Sequence, residues 1–141
     1  MFPDSAWEEL ESIPAEERAH PIALRLRVYI YRDKGKWMEM AEISRHLTEI
    51  EPQQPEHWTN RAWAERRHLG LPVAEKTLLH ALAQFPNEGI IYYNLACYAA
   101  VDSRTVEAKS LLSKAIELDP EFKEVALEDE DLAGNLVIIL Y

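Results

Sequence analysis

The sequence AKSLLSKAIELDP at residues 108–120 carries the strongest structural signal in this chain, because its pattern occurs twice. Residues 74–86 read AEKTLLHALAQFP, so alanine, leucine, alanine and proline return in the same order and at the same spacing. Pro52, Pro86 and Pro120 extend the 34-residue period to three copies. A fixed period of this length is typical of proteins that stack one supersecondary unit repeatedly.

Each copy of the repeat predicts two helices joined by a short turn. Pro21, Pro55 and Gly89 begin the first helices, and proline suits a first helical turn because the amide hydrogen it lacks would have no partner there. The second helix ends near the proline that closes the copy. Apolar residues recur at helical spacing, and no window alternates with period two for long enough to predict a strand. The chain is therefore predicted to be all-α.

The pattern resembles the tetratricopeptide repeat (TPR), a helix–turn–helix unit of 34 residues. The resemblance covers residues 21–120, and in the third copy it rests on Tyr92, Leu95, Ala96, Ala108, Leu112, Ala115 and Pro120. It implies a single domain folded as a right-handed superhelical stack, a TPR-like α-solenoid. The predicted parts are an N-terminal capping helix or half repeat at 4–18, repeats at 21–54, 55–88 and 89–120, and a C-terminal cap and tail at 121–141.

Composition limits the classes of function. Among the 141 residues, 15 are basic and 25 acidic, so the net charge is −10, which argues against binding of nucleic acid phosphates. The longest apolar run, Leu136–Tyr141, is far shorter than a membrane-spanning helix. A single cysteine, Cys97, excludes an internal disulfide and fits a reducing compartment. The expected location is the cytoplasm.

No combination of residues predicts catalysis. The five histidines lack metal-ligand spacing, and there is no glycine-rich loop of the kind that holds phosphate groups. Cys97 lies among small residues on a predicted helix, which favours packing over nucleophilic chemistry. We therefore predict that the protein is not an enzyme and has no catalytic residue, metal site or cofactor.

The resemblance implies a concave groove that is lined by the first helix of each repeat and binds peptides. One TPR subtype holds a C-terminal carboxylate with five residues, of which Arg25 and Asn60 are partial matches here, so that mode is not expected. Counting from the first residue of each first helix, the candidate binding residues are Arg25, Tyr29, Arg32, Thr59, Asn60, Trp63, Arg66, Tyr93, Asn94 and Cys97.

Charge is distributed unevenly along the chain. Residues 21–36 carry five basic and one acidic side chain, whereas residues 1–20 and 121–141 each have a net charge of −5. Arginine forks suit carboxylates, so the first helices favour an acidic peptide as ligand. The alternative is that these arginines lie at helix edges and pair with nearby glutamates.

We predict a non-catalytic protein–protein interaction module or scaffold that binds a peptide or helix of a partner in the groove. The alternative is a dedicated chaperone for a secreted or membrane-inserting client, similar to the three-repeat chaperones of bacterial secretion. Two interpretations of the C-terminal tail also remain open. The acidic run Glu128–Asp131 and the apolar end either fold over the last repeat or occupy a groove, in the same chain or in a second copy through self-association.

Overall fold

The computed structural model describes residues 4–133, and within that range it contains ten α-helices and no strand. The chain divides into two compact units, Met1–Thr77 and Leu78–Tyr141. The all-α class predicted from the periodicity is confirmed. The helices are α1 (Asp4–Ser12), α2 (Ala15–Arg18), α3 (Pro21–Lys34), α4 (Trp37–Ile50), α5 (Pro55–His68), α6 (Leu71–Gln84), α7 (Gly89–Val101), α8 (Thr105–Leu118), α9 (Phe122–Glu128) and α10 (Glu130–Ala133).

In the first unit, α4 packs against both α3 and α5. Pro21 and Pro55 occupy the first turns of α3 and α5, as their sequence positions predict. Gly35 ends α3 with φ at 69°, a left-handed conformation that glycine adopts without steric cost. Val28, Met40, Leu47 and Ala64 are among the buried side chains that form the core of these three helices.

Two short helices precede the first repeat of the first unit and pack against α3. They are separate because Pro14 lies between them, and proline disfavours helical geometry in the residue before it. The indole ring of Trp7 contacts the ring of Tyr31, with 5.1 Å between their centroids. Arg27 reaches back to Glu11 at 3.0 Å. Segment 4–18, predicted as a capping helix or half repeat, contains these two helices.

In the second unit, α7 packs against α8, and α8 is followed by α9. Ala96, Ala108 and Ala115 are completely buried, which agrees with their recurrence at sites where two helices must approach closely. Gly89 begins α7 where the other repeats have proline. A β-carbon there would lie 2.9 Å from the ring of Phe122 in α9, so a side chain at position 89 would displace that ring.

A hydrogen bond recurs with the period of the sequence. The indole N–H of Trp58 donates to the carbonyl oxygen of Pro52 at 3.2 Å, within the first unit. The hydroxyl of Tyr92, 34 residues later, donates to the carbonyl oxygen of Pro86 at 2.8 Å, within the second. Each aromatic side chain therefore satisfies a backbone carbonyl just beyond the preceding helix. The repeat preserves this hydrogen bond as well as the apolar pattern.

Residues 134–141, with the apolar segment Leu136–Tyr141, lie outside the described residues. The prediction that this segment covers a groove or mediates self-association therefore stays a prediction. None of the helices between residues 4 and 133 combines the length and the apolar character needed to cross a bilayer.

Candidate binding site

Arginine and tryptophan side chains form layers at the C-terminal ends of α3 and α5. The guanidinium carbon of Arg32 lies 4.4 Å from the ring centroid of Trp63, and that of Arg67 lies 3.9 Å from it. Arg67 also approaches the ring of Trp37, at 5.1 Å. A guanidinium group over an indole ring is attracted by the electron-rich face of the ring. We call Arg32, Trp37, Trp63 and Arg67 the arginine–tryptophan cluster.

The arginine–tryptophan cluster forms the wall of an open pocket of about 530 Å³. Arg32 is exposed, and in the described part of the chain its contact is the Trp63 ring rather than a carboxylate. The pocket thus combines flat aromatic surface with accessible positive charge, a combination suited to a peptide that bears carboxylates. The residues lining it are Tyr29, Arg32, Asp33, Trp37, Trp63 and Arg67.

Arg25, another candidate binding residue, is engaged within the chain. Its terminal Nη2 contacts both carboxylate oxygens of Glu51, at 2.8 and 2.7 Å, and His57 Nε2 lies 2.9 Å from the same carboxylate. The hydrogen bond from Arg25, followed by that from His57, holds the pKa of Glu51 below its usual value of 4.5. This group joins α3, the end of α4 and α5, and it matches the alternative in which an arginine pairs with a nearby glutamate.

Because the pKa of Glu51 is lowered in the folded state, its contribution to stability is present above pH 4.5 and is lost as the pH falls through the folded pKa. We expect Glu51→Gln to lower the melting temperature at pH 7. The difference from the wild type should shrink as the pH falls from 4.5 through the lowered pKa of the folded state, where the wild-type side chain becomes neutral like glutamine. Thermal unfolding followed by circular dichroism between pH 3 and pH 7, roughly the range where carboxylates titrate, measures this.

Glu49→Gln is the matched control for that experiment. Glu49 is exposed in the last turn of α4, two residues before Glu51, and pairs with Arg45 four residues away. Such exposed pairs contribute little to stability, so the control should leave the pH profile nearly unchanged. Equal pH profiles for the Glu51 and Glu49 variants would contradict the role assigned to Glu51.

The remaining candidates on α3 and α5 have varied surroundings. The hydroxyl of Tyr29 donates to the carboxylate of Glu56, which brings α3 and α5 together beside the pocket. Thr59 donates to the carbonyl oxygen of Glu56 at 3.0 Å, within its own helix. Asn60 and Arg66 are half-buried. The structure therefore brings Tyr29, Arg32 and Trp63 together at one pocket and places Arg25 in an ion-pair group.

The candidates of the third repeat are covered by the C-terminal end of their own unit. The hydroxyl of Tyr93 donates to Oδ2 of Asp129 at 2.7 Å, and Sγ of Cys97 lies 3.6 Å from the same oxygen. Both side chains are buried, with exposed fractions of 4% and 5%, whereas Asn94 is half-buried. Burial, reinforced by Asp129, raises the pKa of both the Tyr93 hydroxyl and the Cys97 thiol.

The described residues include a set of potential metal ligands at this place. Cys97, Asp129 and Asp131 each have a ligand atom, and the three atoms lie within 4.8 Å of one another. The thiol of Cys97 is buried and directed at Oδ2 of Asp129. Asp129 moreover already accepts hydrogen bonds from Tyr93 and Cys97. The geometry favours a hydrogen-bonded contact between the acidic run and α7 over a cation site.

Sequence reasoning missed two members of the arginine–tryptophan cluster. Arg67 lies four residues after Trp63, which places both on one face of α5, so their spacing was an available signal. Trp37 begins the second helix of its repeat, and its contact with Arg67 depends on how α3, α4 and α5 pack. The contact of Asp129 with α7 had no signal beyond the acidic character of its segment.

Comparisons with known proteins identify the fold class of this chain. The chain matches no protein-family model and no curated protein sequence. Solved structures are similar to it over most of its length. The first TPR of Spaghetti (RPAP3), solved with the HSP90 peptide SRMEEVD, is 23% identical, with 84% of this chain and 88% of that chain covered and a TM-score of 0.66.

Two further structures agree with that assignment. The first TPR domain of the human RPAP3 protein is 23% identical, covering 84% of this chain and 87% of that chain, with a TM-score of 0.67. The type III secretion translocator chaperone SycD of Yersinia enterocolitica is 16% identical, covering 98% and 94%, with a TM-score of 0.69. The predicted resemblance is confirmed at the level of fold: this chain has a tetratricopeptide-like fold of helix–turn–helix repeats.

Proposed function

We propose that this protein is a non-catalytic interaction module that binds an extended segment or a helix of a partner protein through α3 and α5. The observation that carries the proposal is the pocket at which three candidate binding residues, Tyr29, Arg32 and Trp63, meet. The RPAP3 domain of similar fold is solved with a peptide of HSP90, which supports peptide binding as a use of this fold. The free thiol of Cys97 supports a cytoplasmic location.

The chemistry of the pocket favours a ligand with carboxylates beside apolar groups. When a guanidinium group stacks on an indole ring, the N–H groups at the edge of the guanidinium plane stay free to donate hydrogen bonds. Two of them match the two oxygens of a carboxylate. Tryptophan supplies a large apolar area at low entropic cost. Trp and Arg are both enriched among the residues that dominate the energetics of interfaces. The Arg32–Trp63 pair offers both features, with Arg32 exposed and Trp63 half-buried.

We expect Arg32→Ala to weaken partner binding by about tenfold or more, which corresponds to about 1.4 kcal/mol or more. Partners are first captured by the immobilised wild-type chain from an extract of the cells that express it. Their dissociation constants are then measured by calorimetry for each variant. The physical reason is the loss of the exposed guanidinium group together with its stacking on Trp63.

Arg45→Ala is the matched control for this measurement. Arg45 is exposed in the same unit but lies on α4, a second helix of the repeat, and it pairs with Glu49 at 2.8 Å. Its loss should leave the partners and their affinities unchanged. If Arg32→Ala retains the same partners at wild-type affinity while circular dichroism shows a folded chain, the proposed site is wrong.

The second candidate function is a dedicated chaperone for a secreted or membrane-inserting client. The observation that favours it is the similarity to SycD, of which the alignment covers 94%. Co-expression separates the two functions. A chaperone's client should aggregate or be degraded when this protein is absent, whereas the partners of a scaffold should accumulate normally.

A further inference from the structure

Phe122 at the start of α9, Asp129 and α10 cover the face of α7 that carries the candidate residues Tyr93 and Cys97 of the third repeat. α10 packs against α7, and Leu132 of α10 is completely buried. The ring of Phe122, at the start of α9, stacks on the ring of Tyr93 with 5.0 Å between centroids. In the second unit, a segment of the chain itself therefore lies where the family resemblance implies a ligand.

The covering segment is held by a polar contact and an apolar one. Oδ2 of Asp129 accepts the hydrogen bonds of Tyr93 and Cys97, and Oδ1 of Asp129 accepts the backbone N–H of Asp131 at 2.9 Å. Leu132 supplies the apolar contact three residues after the aspartate. Asp129 is the extended residue immediately before α10, and Leu132 lies within that helix, so the segment presents an aspartate at the start of a helical turn and a leucine inside it. The covering segment thus displays the side-chain chemistry that this face of α7 accepts.

The attachment of α10 depends on those contacts. A helix of four residues is not stable by itself, because ordering the first turn costs more free energy than the hydrogen bonds of a single turn supply. Oδ1 of Asp129 caps the first turn of α10 through the backbone N–H of Asp131. Because Oδ2 of the same carboxylate accepts the hydrogen bonds of Tyr93 and Cys97, the cap and the contact with α7 together hold the segment in one register.

We propose that the Tyr93–Cys97 face of α7 is a binding site for a short helical segment of a partner protein in which aspartate is followed three residues later by leucine. Asp129 and Leu132 are its internal occupant, and a partner segment of the same pattern exchanges with them. This inference rests on the proposed function, because it assigns the second unit a ligand class of its own. It adds a site that is distinct from the pocket of the first unit.

Cys97 allows the exchange to be measured directly, because it is the single cysteine of the chain and lies beneath the occupant. The reaction of its thiol with a thiol-specific reagent reports how often the face is uncovered, once each rate is divided by the thiolate fraction from a pH titration of the same variant, because Asp129 also raises the pKa of the thiol. In the double variant Asp129→Ala, Leu132→Ala we expect the thiol to react about tenfold faster or more, since both contacts of the occupant are lost.

The matched control is the double variant Leu127→Ala, Glu130→Ala. It also removes one leucine and one acidic residue from the same segment, but both side chains are exposed. Its thiol should react at the wild-type rate. Circular dichroism verifies that each variant keeps its helix content, and the isosteric Asp129→Asn replaces the double variant if that one fails to fold.

The second arm tests whether the uncovered face binds a segment in trans. A synthetic peptide with the sequence of residues 122–133 is added to the double variant at about 1 mM, the effective concentration that a tethered segment typically has. We expect the peptide to return thiol reactivity toward the wild-type rate. A peptide with alanine in place of Asp129 and Leu132 should have no effect.

Two results would overturn the inference. If the double variant and Asp129→Asn both react at the wild-type rate, the segment does not cover the face in solution. If the thiol reacts faster but the peptide gives no protection, the segment is a closure of the last repeat and not the occupant of a binding site. Neither result bears on Arg32 in the first unit, so the proposed function is tested separately by its own variant.

Discussion

Replacing Leu112 by alanine should lower the free energy of unfolding by about 2–5 kcal/mol, the range for a large apolar side chain deleted from a packed core. Leu112 lies on α8 with an exposed fraction of 1%, and it is one of the residues that recur with the 34-residue period. Its removal leaves a cavity that neighbouring side chains cannot fully close. Urea unfolding followed by circular dichroism measures the loss as a shift of the midpoint.

Leu79→Ala is the control that separates burial from residue type. Leu79 lies on α6 and is 54% exposed, so the same chemical change should alter the unfolding free energy far less. The difference between the two variants tests the assignment of the periodic leucines to the core. Equal losses in both variants would contradict the packing of α8 described above.

Replacing Ala96 by leucine should destabilise the protein by about 1–3 kcal/mol, although leucine is more hydrophobic than alanine. Ala96 on α7 has no exposed surface, and its equivalent in the preceding repeat, Ala62, is equally buried. A larger side chain at this position forces the paired helices apart or into unfavourable rotamers. The same urea experiment measures the effect.

Ala83→Leu provides the control for that overpacking. Ala83 lies on α6 in the same unit but is exposed, so a leucine there meets no opposing helix. Its unfolding free energy should stay within about 0.5 kcal/mol of the wild type, as is usual for surface substitutions. An Ala96→Leu variant as stable as Ala83→Leu would show that the recurrent alanines are not packing constraints.

The helical repeat was predictable because its causes are local. Pro21 and Pro55 begin helices, since proline suits a first turn whatever surrounds it. The periodic alanines and leucines mark the buried side of each helix, and a shared period makes neighbouring helices pack in the same way. Even the hydrogen bonds of Trp58 and Tyr92 follow the period. The two donors are one repeat apart, and so are the two acceptors, Pro52 and Pro86.

The candidate site was predictable in part, because its residues do not follow from helix periodicity alone. Tyr29, Arg32 and Trp63 meet at one pocket, as their positions on the first helices suggested. Arg25 has the same kind of position, yet it pairs with Glu51, a residue outside the first helices. The choice between ligand and internal partner depends on which carboxylate comes within reach, and that distance is set by the packing of α3, α4 and α5.

The sequence by itself determined the helical repeat, the helix starts and the small buried residues, since these depend on the period and on local backbone preferences. Only the tertiary structure decided how the polar residues are used. It placed Arg32 over Trp63 and set Asp129 against Tyr93 and Cys97. The physical reason is that a hydrogen bond or a cation–ring contact acts over a few ångströms between residues that are distant in the chain, so its partners exist only after the helices have packed.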